Sequence, residues 1–219
     1  MLKILQRVSK SFALLLVVFF VYMYIEPIVA DAATTETQDF VVTQSVSGEI
    51  SMTNPADVLM NGIIGGMSGG TSTGTTSFTV VSNNATGFTT VASALTSPAL
   101  VKAVAGTSFS DYANTGDPTH AWATTTTSAF GYNVKTSDPA DAAAFKYTDT
   151  TCSTGGTLND DTHCWRGFTT SPYTIIDRGS KTTVDGVTET LNLQAQLAAN
   201  QVLESGSYVA TITLTSAIK

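Results

Sequence analysis

The amino-acid sequence predicts an all-β protein, an Ig-like or Greek-key antiparallel β-sandwich preceded by an N-terminal signal peptide. Short runs of alternating apolar and polar residues are separated by clusters of Gly, Pro, Asn and Asp, and no helical period lasts more than a few residues beyond the leader. Composition points the same way: thirty-eight threonines all lie beyond residue 33, in a chain of which only 12% is charged. Threonine is stiff at its branched β-carbon and suits a pleated surface with one wet face and one dry face.

The leader comes first. Lys3, Arg7 and Lys10 precede the uncharged stretch 12–25, Glu26 and Pro27 interrupt it, and Ala30 and Ala32 present the small residues that a signal peptidase reads. Fourteen apolar residues fall short of the roughly 20 that a helix needs to cross the hydrocarbon. Cleavage after Ala32 is therefore expected, with a retained anchor as the alternative, and an exported chain of 187 residues results. Residues 33–38 read as a flexible lead and 39–219 as a single sandwich domain.

Within that domain, 40–52 reads as the first strand, with Phe40, Val42 and Val46 on one side, a bulge at Gly48, and Ile50 and Met52 beyond it. Asn54-Pro55-Ala56-Asp57 is a turn signal. Five glycines in 65–74 predict a surface loop. Runs 75–82 and 88–95 around Asn83-Asn84-Ala85-Thr86-Gly87 predict a hairpin, and 97–119 an irregular crossover. Trp122 opens a further strand region in which Phe130, Tyr132 and Val134 alternate, with Phe145 and Tyr147 a fainter echo. The polar stretch 152–164 reads as an excursion from the core, to which Trp165 and Phe168 return. Strands are then expected at 173–176, 191–197 and 207–218, the last with Tyr208, Ala210, Ile212 and Leu214 facing inward.

Cys152 and Cys164 are the only cysteines, and in an oxidising compartment they are expected to form a disulfide worth about 3 kcal/mol in the chain-entropy account. Without the leader the chain holds seven Lys or Arg against fifteen Asp or Glu, a net charge of −8, which argues against nucleic acid as a partner.

Gly66-Met67-Ser68-Gly69-Gly70 matches the spacing that presents a nucleophilic serine, but a glycine-rich stretch and a strand follow it where that chemistry needs a helix, and only His120 and His163 exist as bases. No enzyme and no cofactor are expected. Asn159, Asp160 and Asp161 bring oxygen ligands together as weak calcium candidates, without EF-hand spacing. Asn84-Ala85-Thr86 fits the glycosylation acceptor pattern, with a turn as the simpler reading. Trp122, Tyr132, Trp165 and Tyr173 are candidates for a ligand-facing aromatic platform for sugars, with core filling as the competing role.

The segment Glu204-Ser205-Gly206-Ser207-Tyr208-Val209-Ala210-Thr211-Ile212-Thr213-Leu214-Thr215 resembles the closing strand of secreted pilin-type sandwiches and spore coat protein U-like domains, and 77–90 is similar in kind. The cysteine pair departs from that family by lying in a late loop. The resemblance implies an exported surface or appendage subunit whose exposed strand edge pairs with a neighbour. The expected partners are thus other copies or surface proteins, with a glycan as the alternative, and the expected location is the cell envelope or the exterior. A membrane is expected to be met only through the leader.

Overall fold

Alternation turns into strands wherever a neighbour exists to receive the backbone hydrogen bonds. The computed structural model describes residues 2–24, 37–104, 106–112, 116–138, 141–152 and 155–219. The chain divides into two units, Met1–Ser45 and Val46–Lys219. The first contains helix α1 (Leu2–Tyr24), whose side chains at 12–23 are exposed. Among the described residues no helix is long and apolar enough to cross a membrane. The expected cleavage point after Ala32 lies outside the described residues.

The second unit is built of antiparallel strands. In chain order they are β1 (Ile50–Met52), β2 (Gly70–Ser82), β3 (Phe88–Ala94), β4 (Val101–Lys102), β5 (Thr119–Ala121), β6 (Ser128–Thr136), β7 (Tyr147–Thr148), β8 (Thr151–Cys152), β9 (His163–Gly167), β10 (Tyr173–Arg178), β11 (Val187–Leu197), β12 (Tyr208–Val209) and β13 (Ile212–Ile218). A six-stranded sheet runs β1-β2-β11-β6-β9-β5 and a three-stranded sheet runs β10-β3-β13, with two small pairs, β12-β4 and β7-β8.

The two main sheets share one apolar core. On the large sheet, Leu191, Leu193 and Ala195 of β11 register with Val134, Tyr132 and Phe130 of β6, and all six side chains are buried. Opposite them stand Phe88, Ala92 and Ala94 of β3 together with Ile175 and Ile176 of β10. A bulge between Thr174 and Ile176 breaks the two-residue period of β10, which is how two consecutive isoleucines come to be buried.

Four expectations are corrected. The strand at 40–52 shrinks to Ile50–Met52: Phe40, Val41, Val42 and Val46 are 80–91% exposed, and among the described residues they pair with no strand. The glycine-rich loop ends early, since Gly70 already opens β2 and pairs with Leu197. Gly74 lies inside that strand because Val58 packs on it, where an added Cβ would sit 2.4 Å from the Val58 Cγ1.

The expected hairpin is instead an arch between sheets: β2 belongs to the large sheet and β3 to the small one. Gly87 makes the arch feasible, with a φ of 82° and the Arg178 carbonyl 2.0 Å from where a Cβ would be. Asn84 braces it by donating to Thr86, to the Gly87 carbonyl and to the Lys219 carbonyl.

Finally, the disulfide is not confined to a polar excursion. Cys152 and Cys164 are bonded, and Cys164 on β9 is fully buried within the main core. The expected closing strand 207–218 forms, with the anticipated inward side, but in two parts: β12 pairs with β4 and β13 with β3.

Candidate functional site

The long side of the sandwich at β13 is open. Tyr208, Ala210, Ile212 and Leu214 all point inward, yet each stays half-buried, whereas their neighbours Ala92 and Ala94 on β3 are buried. β13 pairs with β3 and is the last strand of its sheet, so its other edge has no ladder partner there. Between this edge and the facing edge of the large sheet lies a cavity of about 1060 Å³ floored by Leu100, Phe109, Phe130, Leu191, Leu193 and Leu214.

Two rims frame it. On one side residues 53–61 run beside β2 without forming a regular ladder. Thr53 Oγ1 accepts from the Thr79 amide at 2.8 Å, the Thr76 hydroxyl donates to the Ala56 carbonyl at 2.9 Å, and Asn61 and Thr73 exchange backbone hydrogen bonds. Pro55 in the same rim cannot donate a ladder hydrogen bond, which suits an edge position. On the other side Leu203 donates its amide to the Gly66 carbonyl and the Lys102 ammonium pairs with Glu204 at 2.5 Å. The Tyr208 hydroxyl donates to the Glu204 carbonyl at 2.8 Å, and its ring meets Phe109 edge-on at 5.2 Å. The rims are thus anchored to the sheets while the floor between them is apolar.

The residues singled out in the sequence fall elsewhere. Trp122 and Trp165 meet edge-to-face at 5.2 Å in a small cluster with Tyr112 and Ala129, on the face of the large sheet turned away from the main core. The Trp122 indole N–H donates to Gln196, and the Trp165 indole N–H to the Thr162 carbonyl. Tyr132 lies in the main core, 1% exposed and stacked on Phe168 at 4.2 Å, and burial raises its phenol well above its ordinary value. Tyr173 is half-buried beneath the Arg166 guanidinium, 3.5 Å from its ring centre. The four aromatics therefore do not line a common surface: Trp122 and Trp165 share the outer cluster, Tyr132 lies in the main core, and Tyr173 belongs to β10 of the small sheet.

Asn159, Asp160 and Asp161 diverge as well. The Asn159 side chain accepts from the Thr136 amide and donates to the Val134 and Phe145 carbonyls. Asp161 lies 3.9 Å from Lys135. Asp160 accepts from the Tyr147 hydroxyl at 2.7 Å and from the Thr162 and His163 amides, and pairs with the His163 ring at 2.8 Å. Partial burial opposes its ionisation, but the hydrogen bonds from Thr162, Tyr147 and His163 outweigh that and hold its carboxyl far below the usual range. Among the described residues no group of three or more His, Cys, Asp or Glu could hold a metal ion.

His163 also stacks on Tyr147 at 4.2 Å and lies 4.6 Å from the ring of His120, whose Nε2 is buried without a hydrogen-bond partner. Ser68 is exposed in a turn closed by reciprocal Gly65–Gly69 hydrogen bonds, and β2 follows it directly.

Sequence reasoning passed over two features. The groove floor draws on Leu100 and Phe109, in a region read only as an irregular crossover. Glu189 is completely buried, with neither carboxylate oxygen in hydrogen-bonding geometry with another of the described residues, and burial, opposed in part by the neighbouring Thr136 hydroxyl, pushes its carboxyl up to about 7. Thr136, across from it in register, spends its hydroxyl on the Asp138 carbonyl. The signal for Glu189 was present in the chain: it falls in phase with Leu191, Leu193, Ala195 and Leu197, one acid in a core-facing alternation.

The fold and groove thus define an all-β, disulfide-bearing sandwich with an open edge. No family model matches the chain, and no match was found among curated proteins or solved structures.

Proposed function

We propose that this chain is an exported, non-enzymatic structural subunit of a cell surface or appendage: an Ig-like sandwich that associates with neighbours through an exposed sheet edge. The observation that carries the reading is the unpaired edge of β13 above an apolar floor. An edge strand over unfilled apolar surface is a template for another strand, and proteins ordinarily block such edges with charge, proline or a covering element. Here the outward residues of β13 and its approach are Thr211, Thr213 and Thr215, which keep the face wet without repelling a partner.

Export is supported by the basic and then apolar amino terminus and by the Cys152–Cys164 bond, which belongs to an oxidising compartment. Removal of the leader by cleavage after Ala32 completes the reading.

The experiment is cell fractionation with amino-terminal sequencing of the recovered chain, followed by sedimentation over a range of concentrations. The reading expects a processed chain on the envelope that assembles as concentration rises. A chain released freely into the medium that stays monomeric would count against it. Glycan binding that disappears in Trp122→Ala, with the fold retained, would move the reading to a secreted carbohydrate-binding module.

A further inference from the structure

We infer that Arg166 is the seat of a small monovalent carboxylate, bound where the large sheet faces the start of β10. Arg166 lies on β9 in register with Tyr132 of β6, and the alternation that turns Trp165 outward turns Arg166 into the sandwich. It is 4% exposed, and its guanidinium carbon rests 3.5 Å from the centre of the Tyr173 ring. Nε and Nη1 are buried, and neither is in hydrogen-bonding geometry with another of the described residues. Among the described residues no acid lies within ion-pair distance of this guanidinium.

A carboxyl in such a place can give up its charge, as Glu189 does by keeping its proton. A guanidinium cannot, because it stays protonated under any condition in which a protein folds. A buried charge without a counter-ion is among the most costly features a fold can carry. The face of Tyr173 offsets part of that cost by cation–π attraction. An aromatic face does not, however, accept the N–H groups as an oxyanion does.

The charge count selects the class of anion. A phosphate carries about two negative charges near neutral pH and would leave one of them buried and unpaired, whereas a carboxylate brings one and matches the planar donor fork. Tyr132 supplies a second donor beside the guanidinium. Burial raises its phenol well above the ordinary value and the Arg166 charge acts the other way, with burial the larger effect, so the hydroxyl keeps its proton. Phe145 meets the rings of both Tyr132 and Tyr173, at 5.7 and 6.3 Å, which makes the surrounding wall aromatic and suits a short apolar tail. Tyr173 is only half-buried, so the seat reaches solvent on its side. Asp117, exposed ahead of β5, acts on Tyr173 through its charge, and in a chain of net charge −7 this further disfavours a multivalent anion.

The seat is separate from the open edge, and so is its test. Thermal unfolding of the purified chain is followed as sodium acetate replaces sodium chloride at constant ionic strength, with sodium phosphate as a parallel series. Acetate should raise the melting temperature along a saturating curve, and phosphate should not. Arg166→Met fills similar space without charge, so it should abolish the acetate response while circular dichroism stays unchanged. Arg166→Lys keeps the charge without the planar fork and should weaken the response roughly tenfold or more. A melting temperature indifferent to acetate, a response equalled by phosphate, or one that survives in Arg166→Met overturns the inference. If Arg166→Met does not fold, a nuclear Overhauser contact between the acetate methyl and the Tyr173 ring protons of the wild type decides. Its presence at saturating acetate supports the seat, and its absence overturns it.

Discussion

Along β6, β9 and β10 the inward side chains are sealed: Phe130, Tyr132, Val134, Cys164, Ile175 and Ile176 are at most 1% exposed. From β12 into β13 the same alternation continues, yet Tyr208, Ala210, Ile212 and Leu214 stay half-buried. The sealed side is covered by elements that cross it. Phe145 and Phe168 pack their rings on Tyr132, and the disulfide ties β8 to β9. On the open side the 53–61 rim and the 203–209 rim anchor to the sheets and leave a trough between them. Alternation therefore decides which face turns inward. It does not decide whether anything lies over that face.

The largest effect expected from this contrast is on the sealed side. Phe168 is 2% exposed and stacks with both Phe130 and Tyr132, so Phe168→Ala removes a ring from a close-packed site that cannot collapse around the space. A loss of about 3–5 kcal/mol is expected in urea denaturation. A loss under about 1 kcal/mol would mean that this side is no better packed than the other.

Glu189 ranks next and marks a cost inside the otherwise sealed region. Its carboxyl ionises at about 7 in the folded chain against an ordinary 4.5, with burial the chief cause, so the folded state holds its proton more tightly than the unfolded state does. The sign follows: this contribution to stability is fully present below about 4.5 and is lost as pH rises through 7. By pH 8 the deficit is on the order of 3 kcal/mol. Glu189→Gln keeps the shape and removes the titration, so it should flatten the fall in stability between pH 5 and pH 8 and raise stability at the upper end. Thermal unfolding across that range reads the result, and an unchanged slope would show that the burial of Glu189 is not what sets it.

How much of this could be read from the chain depends on whether the deciding interaction is local. β11 and β13 were legible because their inward residues recur every second position, and the disulfide because the chain has only two cysteines to pair. The Asn83–Gly87 turn was legible as a turn. Whether it folds one sheet back on itself or arches to another depends on β11 taking the partner edge of β2, more than a hundred residues away. The 40–52 pattern was misread for the related reason that alternation marks competence to be a strand, while pairing needs a neighbour. The glycines of 70–74 suggested freedom where Val58 and β11 impose confinement. As for the site, the inward face of β13 was legible but the trough beneath it was not, because its floor gathers Leu100, Phe109, Leu191 and Leu193 from distant segments.

The smallest expected effect is the most telling for the open side. Leu214 lines the groove and is only half-buried, so Leu214→Ala removes atoms that still touch water on one flank and leaves no closed cavity behind. In the isolated chain the cost should be about 1 kcal/mol, below the roughly 2–5 kcal/mol of core leucines, because little of the side chain's transfer energy is realised there. Measured beside Phe168→Ala in the same denaturant series, it calibrates the two sides directly. A Leu214→Ala loss equal to that of Phe168→Ala would mean the trough is already filled in the single chain. A small loss means that the inward face of β13 keeps part of its apolar surface in contact with water in the single chain.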